Sequence, residues 1–259
     1  MQVLPFLLLC LACALLVAPD RAAAKPKLYR GEYSLSFLGL PVARATFDSR
    51  IDAKSYSVEG SVASAGLARI LDDTRGTVSA SGTFAGEVAR PHHFRADYVS
   101  GKKKGIVDIR FKGGSVAKVT TVPPPRKRRN WVPLGPGDLR AVADPMAALL
   151  IKAGGPEAVC GRTVRLFDGE LRADLKLSFV SADEGSGSEA PTVTCRLGFI
   201  PVSGYRKDKR ALEFLRNRSR MTVVFAELDG TGIYAPVHAT IGTEIGTITM
   251  RARRVATSD

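Results

Sequence analysis

Apolar and polar residues alternate along several stretches of the chain, and this period of two limits the fold more than any other feature. The alternation runs through residues 33–37, 43–48, 107–112 and 171–178. Successive side chains of a β-strand point to opposite faces, so the pattern predicts strands with one face on a core and the other in water. Strands of this kind pair in antiparallel sheets.

Shorter apolar stretches separated by turn residues extend the same pattern. The pairs Gly113-Gly114, Asp168-Gly169 and Asp229-Gly230 are typical of tight connections between antiparallel strands. Together these features predict an all-β protein. The further predicted strands span residues 56–63, 76–82, 93–99, 116–122, 164–167, 193–202, 221–228, 237–242 and 245–255.

The faces of the predicted strands that point away from the core carry charged side chains. Arg44, Asp108, Arg110, Arg172 and Lys176 are placed there by the alternation. A cation facing lipid at the middle of a bilayer would cost about 2–4 kcal/mol. The pattern therefore favours a soluble sheet over an outer-membrane barrel.

One short helix is predicted to pack in the concavity of the sheet. Asp144 is a suitable N-cap, Pro145 suits the first helical position, and Gly154-Gly155 ends the segment. Residues 146–153 are apolar on nearly all sides, which indicates a buried helix. A second segment, residues 208–218, is compatible with a helix, a basic hairpin or a loop. The helix residues assigned to the concavity are Met146, Leu149, Leu150 and Ile151.

The amino terminus predicts export. An uncharged apolar run over residues 3–17 precedes Ala22-Ala23-Ala24, which is the layout of a secretory signal peptide that is cleaved near Ala24. The run is too short to span a bilayer as an anchor. We therefore predict that residues 1–24 are a signal peptide and that residues 25–259 form a single β domain. The product is expected in the periplasm and is not transmembrane once processed.

Two cysteines, Cys160 and Cys195, remain after the signal peptide. An even number of cysteines in an oxidising compartment predicts one disulfide bond. The alternative is two independently buried thiols. No further ligands stand near either cysteine at the spacing of a zinc site, so we predict neither a metal nor another cofactor.

The chain is strongly basic, with a formal net charge of +13, and its cations form two clusters. The first cluster lies on a proline-rich loop just before Trp131, and Tyr205 and Phe214 are interleaved with the second. Clustered cations attract polyanions, and neighbouring aromatic residues suit a lipid–water boundary. We predict an anionic envelope surface or a lipid-like ligand as partner, and no nucleic acid, which exported proteins rarely meet; the alternative is solubilising loops without a specific partner. The predicted anion-binding residues are Arg126, Lys127, Arg128, Arg129, Arg206, Lys207, Lys209 and Arg210.

No catalytic signature is present. The three histidines, His92, His93 and His238, have no metal-binding pattern around them. The acid pairs Asp72-Asp73 and Asp183-Glu184 are typical of solvated turns, whereas the two acids of a glycosidase flank the sugar from separate strands. We therefore predict a non-catalytic protein.

Several motifs, in order along most of the mature sequence, carry a resemblance to a known family. They are residues 33–43, Ala65-Gly66-Leu67, Arg90-Pro91, the Lys102-Lys103-Lys104 hairpin that leads into Val107-Asp108-Ile109, residues 144–150 and residues 167–172. On these residues the chain resembles the bacterial family called domain of unknown function 3108. The resemblance implies an exported envelope protein with a long, strongly curved antiparallel sheet around a helix, similar in outline to the periplasmic lipoprotein carriers. We therefore predict an all-β fold in which a long, curved antiparallel sheet forms an open or incomplete barrel, with the short apolar helix packed in its concavity. The family has no assigned reaction, so the resemblance implies no catalytic residues.

The functional hypothesis from the sequence is an exported, non-catalytic protein of the periplasmic cell envelope. It would bind an apolar or anionic envelope ligand, such as a lipid, a lipoprotein or a cell-wall component, and support envelope integrity. Two alternatives stay open: a protein–protein scaffold of the envelope that uses its sheet edges, and a hydrolase that acts on cell-wall glycan.

Overall fold

The computed structural model describes residues 26–66, 73–126, 129–185 and 190–258. The predicted signal peptide, residues 1–24, and the predicted anion-binding residues Lys127 and Arg128 lie outside the described residues.

Each predicted strand overlaps an observed one, which confirms the all-β prediction. The strands are β1 (Lys27–Phe37), β2 (Leu40–Ile51), β3 (Ser55–Ser64), β4 (Thr74–Ala85), β5 (Val88–Ser100), β6 (Lys103–Lys112), β7 (Ser115–Val122), β8 (Trp131–Val132), β9 (Ile151–Lys152), β10 (Thr163–Phe167), β11 (Arg172–Asp183), β12 (Thr192–Ser203), β13 (Tyr205–Arg206), β14 (Met221–Glu227), β15 (Ile233–Thr243) and β16 (Gly246–Ser258).

One large antiparallel sheet contains fourteen of these strands. Its strand order is β10-β11-β12-β14-β15-β16-β1-β2-β3-β4-β5-β6-β7, and β9 pairs with β15 beside this path. The first and last strands of the chain are neighbours, so that Tyr33 of β1 lies opposite Ala252 of β16. The strands β8 and β13 form a separate two-stranded sheet.

The two edge strands of the large sheet, β7 and β10, are joined through an irregular segment, residues 139–143. The N–H of Val116 in β7 donates to the carbonyl oxygen of Leu139 at 3.0 Å. At the other end, the N–H of Ala143 donates to Arg165 of β10 at 2.7 Å, and the N–H of Phe167 donates back to Ala143 at 2.9 Å. The sheet is therefore an incomplete barrel, as predicted, with this segment between its edges.

A buried polar cluster anchors the start of that segment to β11 and β12. The carboxylate of Asp138 accepts hydrogen bonds from the Ser203 hydroxyl and from the N–H of Gly135, both at 2.6 Å. Arg172 donates through Nε to the carbonyl oxygen of Asp138 at 3.1 Å and lies 2.7 Å from Asp174. Arg172 is only 3% exposed, so its predicted place on a solvated face is wrong. Its charge is tolerated in the interior because the guanidinium finds acceptors there.

Three clusters of buried apolar side chains lie along the inner face of the sheet, which we define as the face that packs on residues 146–150. Near β7 and β10, Ile109 and Phe167 form the centre of one cluster. A second cluster surrounds Ala147 and Ala148, and a third surrounds the disulfide. The core thus follows the curve of the sheet, and each predicted alternating strand supplies one of its faces to it.

The predicted apolar helix is shorter than its sequence suggests. Asp144 caps it as expected, but the helical residues are a single 3-10 turn, Ala147–Leu149. Ile151 and Lys152 then form β9, opposite Tyr234 and Ile233 of β15. The neighbouring strand β16 pairs only from His238 onward, which leaves this part of β15 with a free edge. Backbone pairing with that edge ends the helix, because a short helix offers few hydrogen bonds of its own.

The second candidate helix is observed as α1, Arg210–Asn217. Leu212 is its buried residue, and the helix packs against β12 and β15. Within the ranges given above, no helix reaches the length and apolar character of a bilayer-spanning segment.

The disulfide prediction is confirmed. Cys160 and Cys195 are bonded, with their Cα atoms 5.8 Å apart. The bond attaches the segment just after the 3-10 turn Pro156–Ala158 to β12, the third strand from the β10 edge of the sheet. Both cysteines are buried in one apolar cluster with Val159 and Val193, so the cross-link lies within the core.

Candidate ligand-binding site

An apolar cavity of about 120 Å³ lies on the inner face of the sheet, between the 3-10 turn and strands β1, β2, β15 and β16. Met146, Leu149 and Leu150 line it from the turn, as the sequence predicted for the concavity. Ile151, the fourth predicted residue, is buried in β9 and faces elsewhere. The residues of the sheet that line this apolar cavity include Tyr29, Gly31, Tyr33, Phe47, Ser49, Ile51, Ala235, Pro236 and Met250.

Two glycines make room for the aromatic rings of the apolar cavity. The rings of Tyr33 and Phe47 meet edge to face, with their centroids 5.6 Å apart. A Cβ atom on Gly31 would lie 2.8 Å from the Tyr33 ring, and one on Gly60 would lie 2.4 Å from the Phe47 ring. Glycine within a strand often marks such a close approach. These glycines therefore set the shape of the cavity wall.

A second and larger cavity, of about 480 Å³, lies on the other side of the 3-10 turn. Three arginines, Arg90, Arg162 and Arg165, line it together with the single acidic residue Glu87, and we call it the arginine cavity. Its remaining wall is largely apolar, and Leu150 lines both cavities. The apolar residues of that wall include Val88, Ala147, Ala148, Ile151 and Val164.

Hydrogen bonds to the main chain fix two of these arginines. Arg162 donates to the carbonyl oxygen of Ala158 and lies 3.2 Å from the carboxylate of Glu87. Arg165 donates to the carbonyl oxygen of Gly137 at 2.8 Å. The Nε atoms of both arginines are buried and have no hydrogen-bond partner in the described parts of the chain. Two guanidinium groups, each held by a main-chain oxygen, therefore line the cavity.

The carboxylate of Asp144 supports the turn between the two cavities. It is fully buried, and its Oδ1 accepts hydrogen bonds from the N–H groups of Met146 and Ala147 at 2.7 and 2.9 Å. Its Oδ2 has no partner among the described residues. Burial raises the pKa of Asp144 to about 6, although these hydrogen bonds oppose the shift. Burial, and then the nearby Asp144, also raise the pKa of Tyr56.

The small sheet of β8 and β13 brings the two predicted basic clusters together. Trp131 lies opposite Arg206, and the N–H of Lys207 donates to the carbonyl oxygen of Asn130 at 3.0 Å. Arg129, Lys207, Lys209 and Arg210 are exposed around this ladder, as is Arg126 earlier in the loop. Arg206 is instead paired with Asp208 through two hydrogen bonds of 2.9 and 2.8 Å. We call the exposed residues Arg126, Arg129, Lys207, Lys209 and Arg210 the basic face.

Several of the remaining candidate groups from the sequence have local partners, whereas Nε2 of His238 is buried without one among the described residues. His93 lies 3.2 Å from Asp108 in the neighbouring strand, and Asp73 pairs with Arg75 at 3.7 Å. Asp183 accepts a hydrogen bond from the N–H of Gly185 within its own turn. Asp72 lies outside the described residues. The parts of the chain that the structure describes contain no cluster of His, Cys, Asp and Glu that would hold a metal ion.

Sequence reasoning did not identify Arg90, Arg162 and Arg165 as a group. Arg90 lies in β5, Arg162 just before β10 and Arg165 in β10, and no shared motif or spacing connects them. The one local signal is Arg165, a cation between the apolar residues Val164 and Leu166. The fold brings the group together because residues 139–143 join β10 to the opposite edge of the sheet.

Comparison with known proteins identifies the family but not a function. The profile of the family described as "Protein of unknown function (DUF3108)" matches residues 32–253. A search of curated proteins found no match. A solved structure, the β-barrel-like protein of domain of unknown function DUF1849 from Brucella abortus, has a similar fold with a TM-score of 0.50 and 12% sequence identity, over 91% of this chain and 99% of that chain. The extent of the profile match shows that this chain belongs to the DUF3108 family.

Proposed function

We propose that this protein is an exported, non-catalytic component of the cell envelope that binds a molecule with an apolar chain on the inner face of its sheet. The apolar cavity between Leu149 and Tyr33 is the observation that carries the proposal. Apolar cavities of about 150 Å³ stay dry and bind small apolar molecules such as benzene. A cavity of about 120 Å³ with a largely apolar lining suits part of an aliphatic chain in the same way.

The cover of the apolar cavity is held by few hydrogen bonds. The 3-10 turn has i to i+3 bonds from Leu149 to Met146 and from Leu150 to Ala147, at 3.1 and 3.3 Å. The cap at Asp144 and the two residues of β9 fix its ends. A short segment of this kind can shift at less cost than a strand of the sheet, because local stability follows the density of contacts. This supports entry of a ligand larger than the cavity itself.

Two further observations support export to an envelope compartment. A disulfide bond such as Cys160–Cys195 persists in oxidising compartments and is rare in the cytosol. The basic face, with Trp131 beside it, suits contact with an anionic surface such as phospholipid headgroups. Both agree with the signal peptide that the sequence predicts at residues 1–24.

Calorimetric titration with 1-decanol tests whether the inner face binds an uncharged apolar chain. We expect saturable binding with a negative heat-capacity change, the mark of apolar burial. S49L places a larger side chain in the apolar cavity, and we expect it to weaken binding at least tenfold, or about 1.4 kcal/mol.

The matched control for S49L is S57L. Ser57 is also half-buried, but it lies between the buried residues Tyr56 and Val58 and therefore points to the other face of the sheet. We expect S57L to bind 1-decanol like the wild type. The proposal is wrong if the wild type does not bind, and the cavity is not the site if S49L and S57L behave alike.

A scaffold that binds proteins along a sheet edge is the second candidate, and one observation favours it. The short strand β10 pairs with β11 only over Arg172–Lys176, so the described chain leaves the edge of β11 beyond Leu177 without a partner strand. Phe179 and Val180 on this stretch are 50% and 48% exposed. Exposed edges accept a further strand from a partner protein. Photo-crosslinking from position 179 in the periplasm is expected to recover one dominant protein if this edge is used, and none if it is not.

A further inference from the structure

We propose that the arginine cavity binds the oxyanion head group, a carboxylate or a phosphate, of an amphiphile whose apolar part lies against the 3-10 turn. The inference rests on the proposed function, because it names the class of molecule that the inner face binds. It concerns a different cavity from the apolar one, formed by Arg90, Arg162 and Arg165.

The charge of the arginine cavity selects an anion. Its lining has three guanidinium groups and one carboxylate, that of Glu87, which is already paired with Arg162 at 3.2 Å. Arg90 is exposed, and Arg165 donates to the neutral carbonyl oxygen of Gly137, with the carboxylate of Asp138 near enough to interact with its charge. The lining therefore has an excess of positive charge that an anionic group can neutralise.

The donor geometry points to an oxyanion in particular. Guanidinium groups bind carboxylate and phosphate oxygens through pairs of parallel hydrogen bonds. Arg165 donates to the carbonyl oxygen of Gly137 through Nη2, and Arg162 donates to the carbonyl oxygen of Ala158 through Nη2. These contacts orient both groups before a ligand binds.

The rest of the wall selects an amphiphile rather than a free anion. The 3-10 turn and the residue after it contribute Ala147, Ala148 and Leu150 to the wall of the arginine cavity. Leu150 also borders the apolar cavity. The arginine cavity, at about 480 Å³, has the size of small-molecule sites and is much larger than one phosphate group needs. A molecule with an anionic head and an aliphatic chain uses both the charged and the apolar parts of this wall.

Calorimetry on the full mature chain compares decanoate, decyl phosphate, 1-decanol and inorganic phosphate at neutral pH. We expect the wild type to bind decanoate or decyl phosphate at least tenfold more tightly than 1-decanol, and inorganic phosphate only weakly. Binding of 1-decanol with no preference for either anion overturns the head-group site and leaves the proposed function intact. If none of the three decyl compounds binds, both the head-group site and the proposed function are wrong. If inorganic phosphate binds as tightly as decyl phosphate, the ligand is not an amphiphile.

Two variants locate the head group. R165Q keeps a donor for Gly137 but removes the charge, and R90Q changes an exposed side chain that the fold does not need. We expect each to weaken binding of the preferred anion about tenfold and to leave 1-decanol binding unchanged. R44Q, on an exposed residue of β2 away from both cavities, is the control and is expected to bind like the wild type. Equal effects of R44Q and R165Q would show general electrostatic attraction instead of a site.

Discussion

Trp131 lies opposite Arg206 in a two-stranded antiparallel ladder, and this pairing joins two basic segments that are far apart in the sequence. Lys207 continues the ladder through its N–H bond to Asn130. The exposed cations of both segments therefore lie on one surface. Their electrostatic attractions for an anion add together, whereas the cations of one segment alone would give a weaker and more diffuse field.

The basic face is predicted to bind anionic vesicles. We expect co-sedimentation with vesicles that contain phosphatidylglycerol, a loss of binding as salt rises, and no binding to purely zwitterionic vesicles. The double variant K207E/R210E is expected to lose most of this binding, because it reverses two charges of the face. K102E/K103E at the exposed hairpin between β5 and β6 changes the net charge equally and serves as control. Equal losses in both variants would exclude a specific face.

Cys160→Ser is predicted to destabilise the protein without unfolding it. The disulfide closes a loop between residues separated by 35 positions, which the chain-entropy model values at about 4 kcal/mol or less. The sheet supplies two core clusters that do not include this bond, so the fold is expected to persist. Urea unfolding measures the difference in the free energy of unfolding between wild type and variant. A reductant should lower the stability of the wild type only, because only the wild type contains the disulfide. A variant that gains stability would contradict the prediction.

The buried carboxyl of Asp144 is predicted to make stability depend on pH. Burial raises its folded-state pKa to about 6 from an ordinary value of 3.8, so the protonated form is favoured in the fold. The protonated carboxyl of Asp144 therefore makes its whole contribution to stability below pH 4. As the pH rises through about 6, the free energy of unfolding falls by about 3 kcal/mol. D144N keeps an oxygen for the cap but does not ionise. The stability of the wild type relative to D144N is expected to fall between pH 4 and pH 7.

Asp52 provides the control of opposite sign. Burial opposes the shift, but hydrogen bonds from Lys54 and Ser55 outweigh it and lower the pKa of Asp52. The ionised carboxyl of Asp52 contributes to stability above its ordinary pKa, and this contribution is lost as the pH falls. The stability of the wild type relative to D52N should therefore rise with pH. Chemical unfolding between pH 4 and pH 7 measures the difference for Asp144, and the same measurement below pH 4 measures the difference for Asp52. The same slope for D144N and D52N would refute the assignment at Asp144.

Gly60→Ala is predicted to disturb the apolar cavity, because the added Cβ would lie 2.4 Å from the Phe47 ring. Overpacking of this kind costs about 1–3 kcal/mol. At Gly198, also within a strand, an added Cβ would meet Lys176 at an ordinary 3.5 Å, so G198A is the matched control. Thermal unfolding should separate the two, and G60A should also weaken 1-decanol binding because Phe47 lines the cavity. Equal stability of G60A and G198A would contradict this account of Gly60.

The cap at Asp144 illustrates how far local sequence reasoning reaches. The residue was expected to begin a helix, and its Oδ1 does accept the N–H groups of the first turn. The expected length was wrong, because the free edge of β15 at Ile233 and Tyr234 binds the backbone of Ile151 and Lys152. That edge depends on where β16 stops pairing, which local propensity does not encode.

The sequence by itself determined the longer strands of the large sheet, the single disulfide and the apolar character of residues 146–150, because period-two alternation, the cysteine count and composition are local properties. The two-residue strands β8, β9 and β13 were not predicted. Only the tertiary structure decided which side chains meet. Arg90 and Arg165 share a cavity, Trp131 lies beside Arg206, and Arg172 is buried despite its place in an alternating strand. These relationships arise from the curvature of the sheet and the closure of its edges by residues 139–143. They involve residues far apart in the chain, whose contacts no local pattern can specify.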